Sequence, residues 1–185
     1  RLLGTRFLDR KEVKDVIAWV RLALDPTRAS DRVRAVQAPS RGIGKVTLAK
    51  MASGKLEGIP TATRAKIDAF ESVVATLHEE SKSAPPSAFV RRVIELSGLG
   101  AALEKGGEDD QERLENAREL ATLASRYDHT PGTEGLDAFL ADTALAGDQD
   151  ELDRPQTNEK NKKGVTLMTV HAAKVVELDA VFVSG

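Results

Sequence analysis

Apolar residues recur at three- and four-residue spacings along most of this 185-residue chain, the mark of helices that each bury one face. In "DRKEVKDVIAWVRLALDP" (9–26), Val13, Val16, Ile17, Val20, Leu22 and Leu24 hold that spacing, which predicts an amphipathic helix opening on Asp9 as N-cap and stopping at Asp25-Pro26. A second, short helix fits "RASDRVRAVQA" (28–38), closed by Pro39. "SRGIGKVTLAKMAS" (40–53) reads as a tight glycine turn followed by a helix beginning near Lys45. "TATRAKIDAFESVVATLHEES" (61–81) and "PPSAFVRRVIELSG" (85–98) predict two more helices, Pro85-Pro86 falling where a first turn tolerates proline. "DDQERLENARELATLASRY" (109–127) is acidic at its start, as the helix dipole favours, with Leu114, Ala117, Leu120, Ala121 and Ala124 on one face. "GLDAFLADTALA" (135–146) is the last predicted helix.

After that the pattern changes. Residues 147–163 are polar and charged, with Pro155 and "NEKN", and read as a linker. Beyond it "GVTLMTV" and "DAVFVSG" have the look of short buried strands, out of place in a helical domain unless they pair with strands elsewhere. The expected fold class is therefore mainly α, a helical insertion with a short β/α remnant of another domain at its C-terminal end. The expected boundaries are 1–10 for the edge of that second domain, 11–146 for the helical part, 147–163 for the linker and 164–185 for the return. A first residue of Arg1 and a last segment shaped like a strand suggest that both ends are cuts.

Composition narrows the classes without choosing a function. Hydrophobic residues make up 41% and aromatics 4%, so the core must be built from Leu, Val, Ile and Ala. No run approaches the ~18 apolar residues of a membrane span. Cysteine is absent, which removes disulfides and thiolate metal sites and agrees with a reducing, cytoplasmic location. The net charge of −2 conceals an asymmetry: residues 1–55 carry 13 Lys and Arg against 5 Asp and Glu, the remainder 14 against 24. A basic N-terminal third fits a polyanionic partner, whereas the acidic 104–153 segment would repel one.

Candidate chemistry lies in two places. In "RGIGKVT", Gly42 and Gly44 allow positive φ and close backbone approach, and the helix that follows directs free N–H groups outward, an arrangement suited to phosphate. Ile43 would plug the core between the flanking helices, while Lys45 and Thr47 add contacts to backbone oxygens and Arg41 lies close by. Such a helix-hairpin-helix-like device reads no sequence, because phosphates carry none. An ordinary αα-turn also uses glycines and is the commoner outcome for so short a motif; the local positive charge leans toward an anion without deciding between them. In "TVHAAKVVELD", polar residues project from the end of a predicted strand, where ligands bind in open α/β sheets. Thr169 and His171 there suit a nucleic-acid backbone, Lys174 a phosphate and Glu177 ribose hydroxyls; a satisfied polar residue at a strand end is the plainer role for His171. Arg6 and Phe7 fit a crossing between domains, with Phe7 in the core. Arg10, Lys11 and Lys14, interleaved with Asp9, Glu12 and Asp15, read as a salt-bridged surface, and Trp19 as core. His78 and His129 have no metal-ligand spacing.

Three stretches in order, "GTRFLDRKEVKDVIAWVRL" (4–22), "APSRGIGKVTLAKM" (38–51) and "GVTLMTVHAAKVVELDAVFVSG" (164–185), resemble the second half of superfamily 1 DNA helicases of the UvrD/PcrA/Rep type. The resemblance spans the chain and implies a 2B subdomain inserted into a RecA-like 2A subdomain. It further implies a parent enzyme that is an ATP-dependent 3′→5′ DNA helicase using ATP and Mg²⁺. The glycine turn would grip duplex DNA ahead of the fork, His171 and its neighbours in motif V would lie near single-stranded DNA, and Glu177 near the ATP ribose. Repair proteins are further partners that it implies. One departure stands out: the family's Gly-Leu-Glu-Phe after the motif V lysine is Val175, Val176, Glu177 and Leu178 here. No G-x-x-x-x-G-K-[ST] phosphate loop occurs, so no cofactor and no ATP hydrolysis is expected of this chain by itself. A stand-alone helix-hairpin-helix DNA-binding module and a protein-interaction scaffold are the alternatives.

Overall fold

The apolar stripe at 13–24 becomes the hub of the molecule. The computed structural model describes residues 7–55 and 57–152, the side chains of 45, 52 and 147–152 excepted. Helix α1 (Lys11–Leu24) packs against α2 (Ala29–Gln37), α4 (Thr61–Ser81), α5 (Pro86–Leu96), α7 (Glu108–Ala124) and α8 (Thr133–Leu152). Surrounded in this way it is buried nearly all round: Val13, Val16, Trp19, Val20 and Leu22 have no exposed surface. Each such side chain contributes about 1.5–3 kcal/mol by leaving water. Phe70, Val74 and Leu77 of α4, Phe89, Val90 and Val93 of α5, and Leu136 and Phe139 of α8 complete the core. On α7 the buried face alternates Leu114 and Leu120 with Ala117, Ala121 and Ala124, small residues that let α5 lie close. Two short helices, α3 (Lys45–Ala52) and α6 (Leu99–Glu104), fill the corners, and a 3₁₀ turn (Ser125–Tyr127) joins α7 to the approach of α8.

Helix spacing in the sequence translates directly into most of these elements, and Pro86 occupies the first position of α5 as expected. Four details differ. Arg10, not Asp9, is the N-cap of α1, and no side chain caps it; Asp9 instead accepts a hydrogen bond from Lys14 Nζ at 2.7 Å. Glu12 and Asp15 are buried at 6% exposure rather than lying on a surface face. Each is satisfied from a neighbouring helix, Glu12 by Asn116 Nδ2 at 2.7 Å and Asp15 by Arg34 Nε at 2.7 Å, as a buried charge must be. α6 has no counterpart among the expected helices, being too short to show a period. α8 continues through Gly147 to Leu152, because the residues after that glycine, "DQDEL", all tolerate helix, so the expected linker begins later.

Among the described residues every regular element is helical. The expected strands at 164–170 and 179–185 lie outside the described residues, as do Arg6 and the linker residues from 153 onward.

Candidate nucleic-acid interface

The segment from Ala38 to Thr47 leaves α2, turns at Gly42 and enters α3, and its first half is held from several sides. Trp19, buried in the hub, donates from Nε1 to the Ala38 carbonyl at 2.7 Å. The Ala38-Pro39 peptide is cis. Arg41 Nη1 donates to the carbonyls of Ala35 (3.0 Å), Val36 (3.3 Å) and Pro39 (2.9 Å), and Nη2 to that of Ser97 (2.7 Å). Its guanidinium carbon lies 5.1 Å from the ring centre of Trp19 and 5.4 Å from that of Phe70, within range of a cation–π attraction. Burial pushes the Arg41 pKa below the ordinary arginine value, yet a guanidinium keeps its charge in a protein. Arg41 is thus a clamp that joins the end of α2, the turn, and the α5–α6 corner. Read from sequence as a neighbour of the phosphate site, it has both terminal nitrogens engaged by protein carbonyls.

The two glycines differ as well. Gly42 has φ 66°, the left-handed region that favours glycine, whereas Gly44 has φ −76° and ψ 166°, which any residue adopts. A methyl group on Gly42 would meet Lys66 Nζ at 3.2 Å; one on Gly44 would meet nothing within 4 Å. The expectation of positive φ therefore holds at Gly42 only. Between them Ile43 is 7% exposed and joins the core, as its plug role requires.

α3 opens at Lys45. Its first helical bond is Leu48 N–H to the Gly44 carbonyl at 3.0 Å, and Gly44 as N-cap has no side chain to accept from the amides that follow, so those of 45–47 find no side-chain acceptor among the described residues. Thr47 is half-buried and Val46 is 75% exposed. The Lys45 side chain, and all of Thr169, His171, Lys174 and Glu177, lie outside the described residues.

Nothing in the local sequence marks Lys66, which the fold brings to this turn from α4. It is exposed, and its ammonium makes no hydrogen bond or ion pair with a described residue. The only trace in the sequence is its helical surroundings: Ala62, Thr63, Ala69 and Phe70, three and four residues away, carry no charge. His78 Nδ1 sits 2.7 Å from the Ala23 carbonyl, a structural contact.

The family model described as "UvrD-like helicase C-terminal domain" matches residues 2–185. The ATP-dependent DNA helicase PcrA of Bacillus subtilis (strain 168) is 30% identical over 198 residues, covering 98% of this chain and 27% of the relative. DNA helicase II of Salmonella typhimurium is 31% identical over 202 residues, with the same coverage of 98% and 27%. A PcrA helicase of Leuconostoc citreum is 30% identical over 205 residues. The chain spans about a quarter of the length of these relatives.

Proposed function

This chain belongs to the UvrD-like helicase C-terminal domain family, and from that premise we propose that it is the 2B subdomain, with flanking 2A segments, of an ATP-dependent 3′→5′ DNA helicase. Its task is to grip the backbone of duplex DNA at the Gly42–Thr47 turn and thereby regulate unwinding. Support comes from relatives named as ATP-dependent DNA helicases and from the basic residues 1–55. The observation that carries the assignment of the grip is Gly44. Neither its backbone conformation nor its packing calls for glycine, while the space beside it is open to a ligand that must come close to the main chain. A phosphate seated there accepts hydrogen bonds from the first amides of α3 and gains from the helix dipole. Ile43 fixes the turn in the core, Arg41 positions it, and Lys45 and Thr47 supply further contacts to backbone oxygens.

Such a helix-hairpin-helix-like grip senses duplex shape and charge rather than base sequence. In the parent enzyme Thr169, His171 and Lys174 of motif V meet the single strand and Glu177 the ATP ribose. ATP phosphates and Mg²⁺ are held by other parts of the parent, since this sequence has no phosphate loop. Repair proteins are the further partners, and the cytoplasm is the site of action.

The test is fluorescence anisotropy of the chain with a labelled forked duplex across a salt series, repeated with Gly44→Val and Lys45→Glu. Salt-sensitive binding lost in both variants, with the helical circular dichroism intact, supports the grip. Absence of wild-type binding at low salt, or unchanged binding by Gly44→Val, contradicts it.

A further inference from the structure

The turn that is read as a phosphate grip contains one arginine, and the fold has committed that arginine elsewhere. All four hydrogen bonds of the Arg41 guanidinium run to main-chain carbonyls, and its face lies against Trp19 and Phe70. A phosphate arriving at Gly42–Thr47 therefore meets amides but no cation from position 41. The neighbouring helix α4 provides one. Lys66 projects from its second turn far enough that its ammonium lies 3.2 Å from the position a Cβ would take on Gly42.

We propose that Lys66 is a phosphate-binding residue of this interface, a cation delivered by α4 to the Gly42 side of the turn, where it contacts the same duplex backbone as the α3 amides. The proposal rests on the duplex-grip reading and adds to it a residue outside the "RGIG" motif. Three features favour this over a merely solvated lysine. First, the ammonium is placed against the turn rather than extended away from the protein. Second, it has no anionic partner among the described residues. Asp68, the acid nearest in sequence, is taken by Arg64 at 3.8 Å, and Glu71 is paired with Arg32. Third, the residues one helical turn away on either side are uncharged, so no partner on α4 competes with an incoming anion. A lysine also suits the task chemically, since a flexible point charge can follow a phosphate without the fixed fork that an arginine needs.

The absence of a side chain at Gly42 acquires a second meaning here. Positive φ already favours glycine, and the space that a Cβ would occupy is the space the Lys66 ammonium touches. The same residue thus forms the turn and leaves room for the cation that serves it.

The experiment compares binding of a labelled forked duplex by the chain and by Lys66→Gln, Lys66→Arg, Lys105→Gln and Gly44→Val across about 0.05–0.2 M salt. Each neutralised phosphate contributes a slope of about −0.9 in log K against log salt. Lys66→Gln is expected to make that slope shallower by about one and to weaken binding roughly threefold to tenfold near 0.1 M salt. Lys66→Arg retains the slope, and so does Lys105→Gln, which removes another exposed charge, just after α6. An unchanged slope in Lys66→Gln, with binding lost in Gly44→Val, overturns the role of Lys66 while the grip stands. An equal loss of slope in Lys105→Gln overturns it too, by showing a response to net charge alone. Wild-type binding that is absent, or indifferent to Gly44→Val, overturns the grip and the role of Lys66 together.

Discussion

Arg41 and Gly42 on one side of Ile43, and Gly44 to Thr47 on the other, are continuous in sequence and opposite in what the fold does with them. The first pair is locked: a guanidinium bonded to four carbonyls and a glycine in the left-handed region. The second group is open: a glycine with ordinary dihedrals and empty space at its Cβ, then a helix start without a side-chain cap. A short motif therefore need not have one job. Its first half builds a rigid turn from the protein outward, and its second half presents main chain at the surface that the turn has fixed.

That division can be broken most severely at Arg41. Arg41→Ala removes the side-chain donor of the Val36, Pro39 and Ser97 carbonyls, leaves Ala35 with the Ala38 amide alone and removes the contact with Trp19, so a loss of about 2–4 kcal/mol in unfolding free energy is expected by urea denaturation. Arg41→Lys should lose nearly as much, because one ammonium cannot reproduce the planar fork. Full stability and full duplex binding in Arg41→Lys would return Arg41 to the role of a simple cation. Gly42→Ala comes next. Forcing a Cβ into φ 66° and against Lys66 Nζ should cost about 1–2 kcal/mol in the same measurement. Gly44→Val, by contrast, should stay within about 0.5 kcal/mol of wild type while duplex binding is lost. A destabilisation as large as that of Gly42→Ala would erase the distinction between the halves. The smallest effect is expected of Thr47→Ala: the Thr47 hydroxyl makes no hydrogen bond among the described residues, so stability changes by less than about 0.5 kcal/mol and binding weakens only by one contact.

How much of this was legible beforehand depends on whether the information was local. The 3.6-residue period placed α1, α4, α5 and α7 because each buries a stripe of one face, which on Thr61–Ser81 runs from Ile67 through Phe70, Val74 and Leu77 to Ser81. α6 escaped because Leu99–Glu104 is too short for a period to emerge. Glu12 and Asp15 looked like surface charges since their neighbours are charged. Their burial depends on Asn116 and Arg34, which tertiary folding brings from α7 and α2. At the candidate site the glycines and the plug at Ile43 were visible in "RGIG". The difference between Gly42 and Gly44 was not, since it is a matter of backbone dihedrals. Arg41 looked like a phosphate ligand because it is an arginine beside a glycine turn, and only the carbonyls converging on it reveal the clamp. Lys66 carries no local signal at all beyond its uncharged helical neighbours.

Duplex DNA is expected to meet the open half of the motif. Backbone amide chemical-shift mapping of the isotope-labelled chain during titration with a short duplex tests it most directly. The largest shifts are expected at Gly44–Leu48 and near Lys66, with the exposed acidic residues of α7 silent. Unperturbed amides at 44–48, with the largest shifts on α7 or on the exposed side of α8, would contradict it.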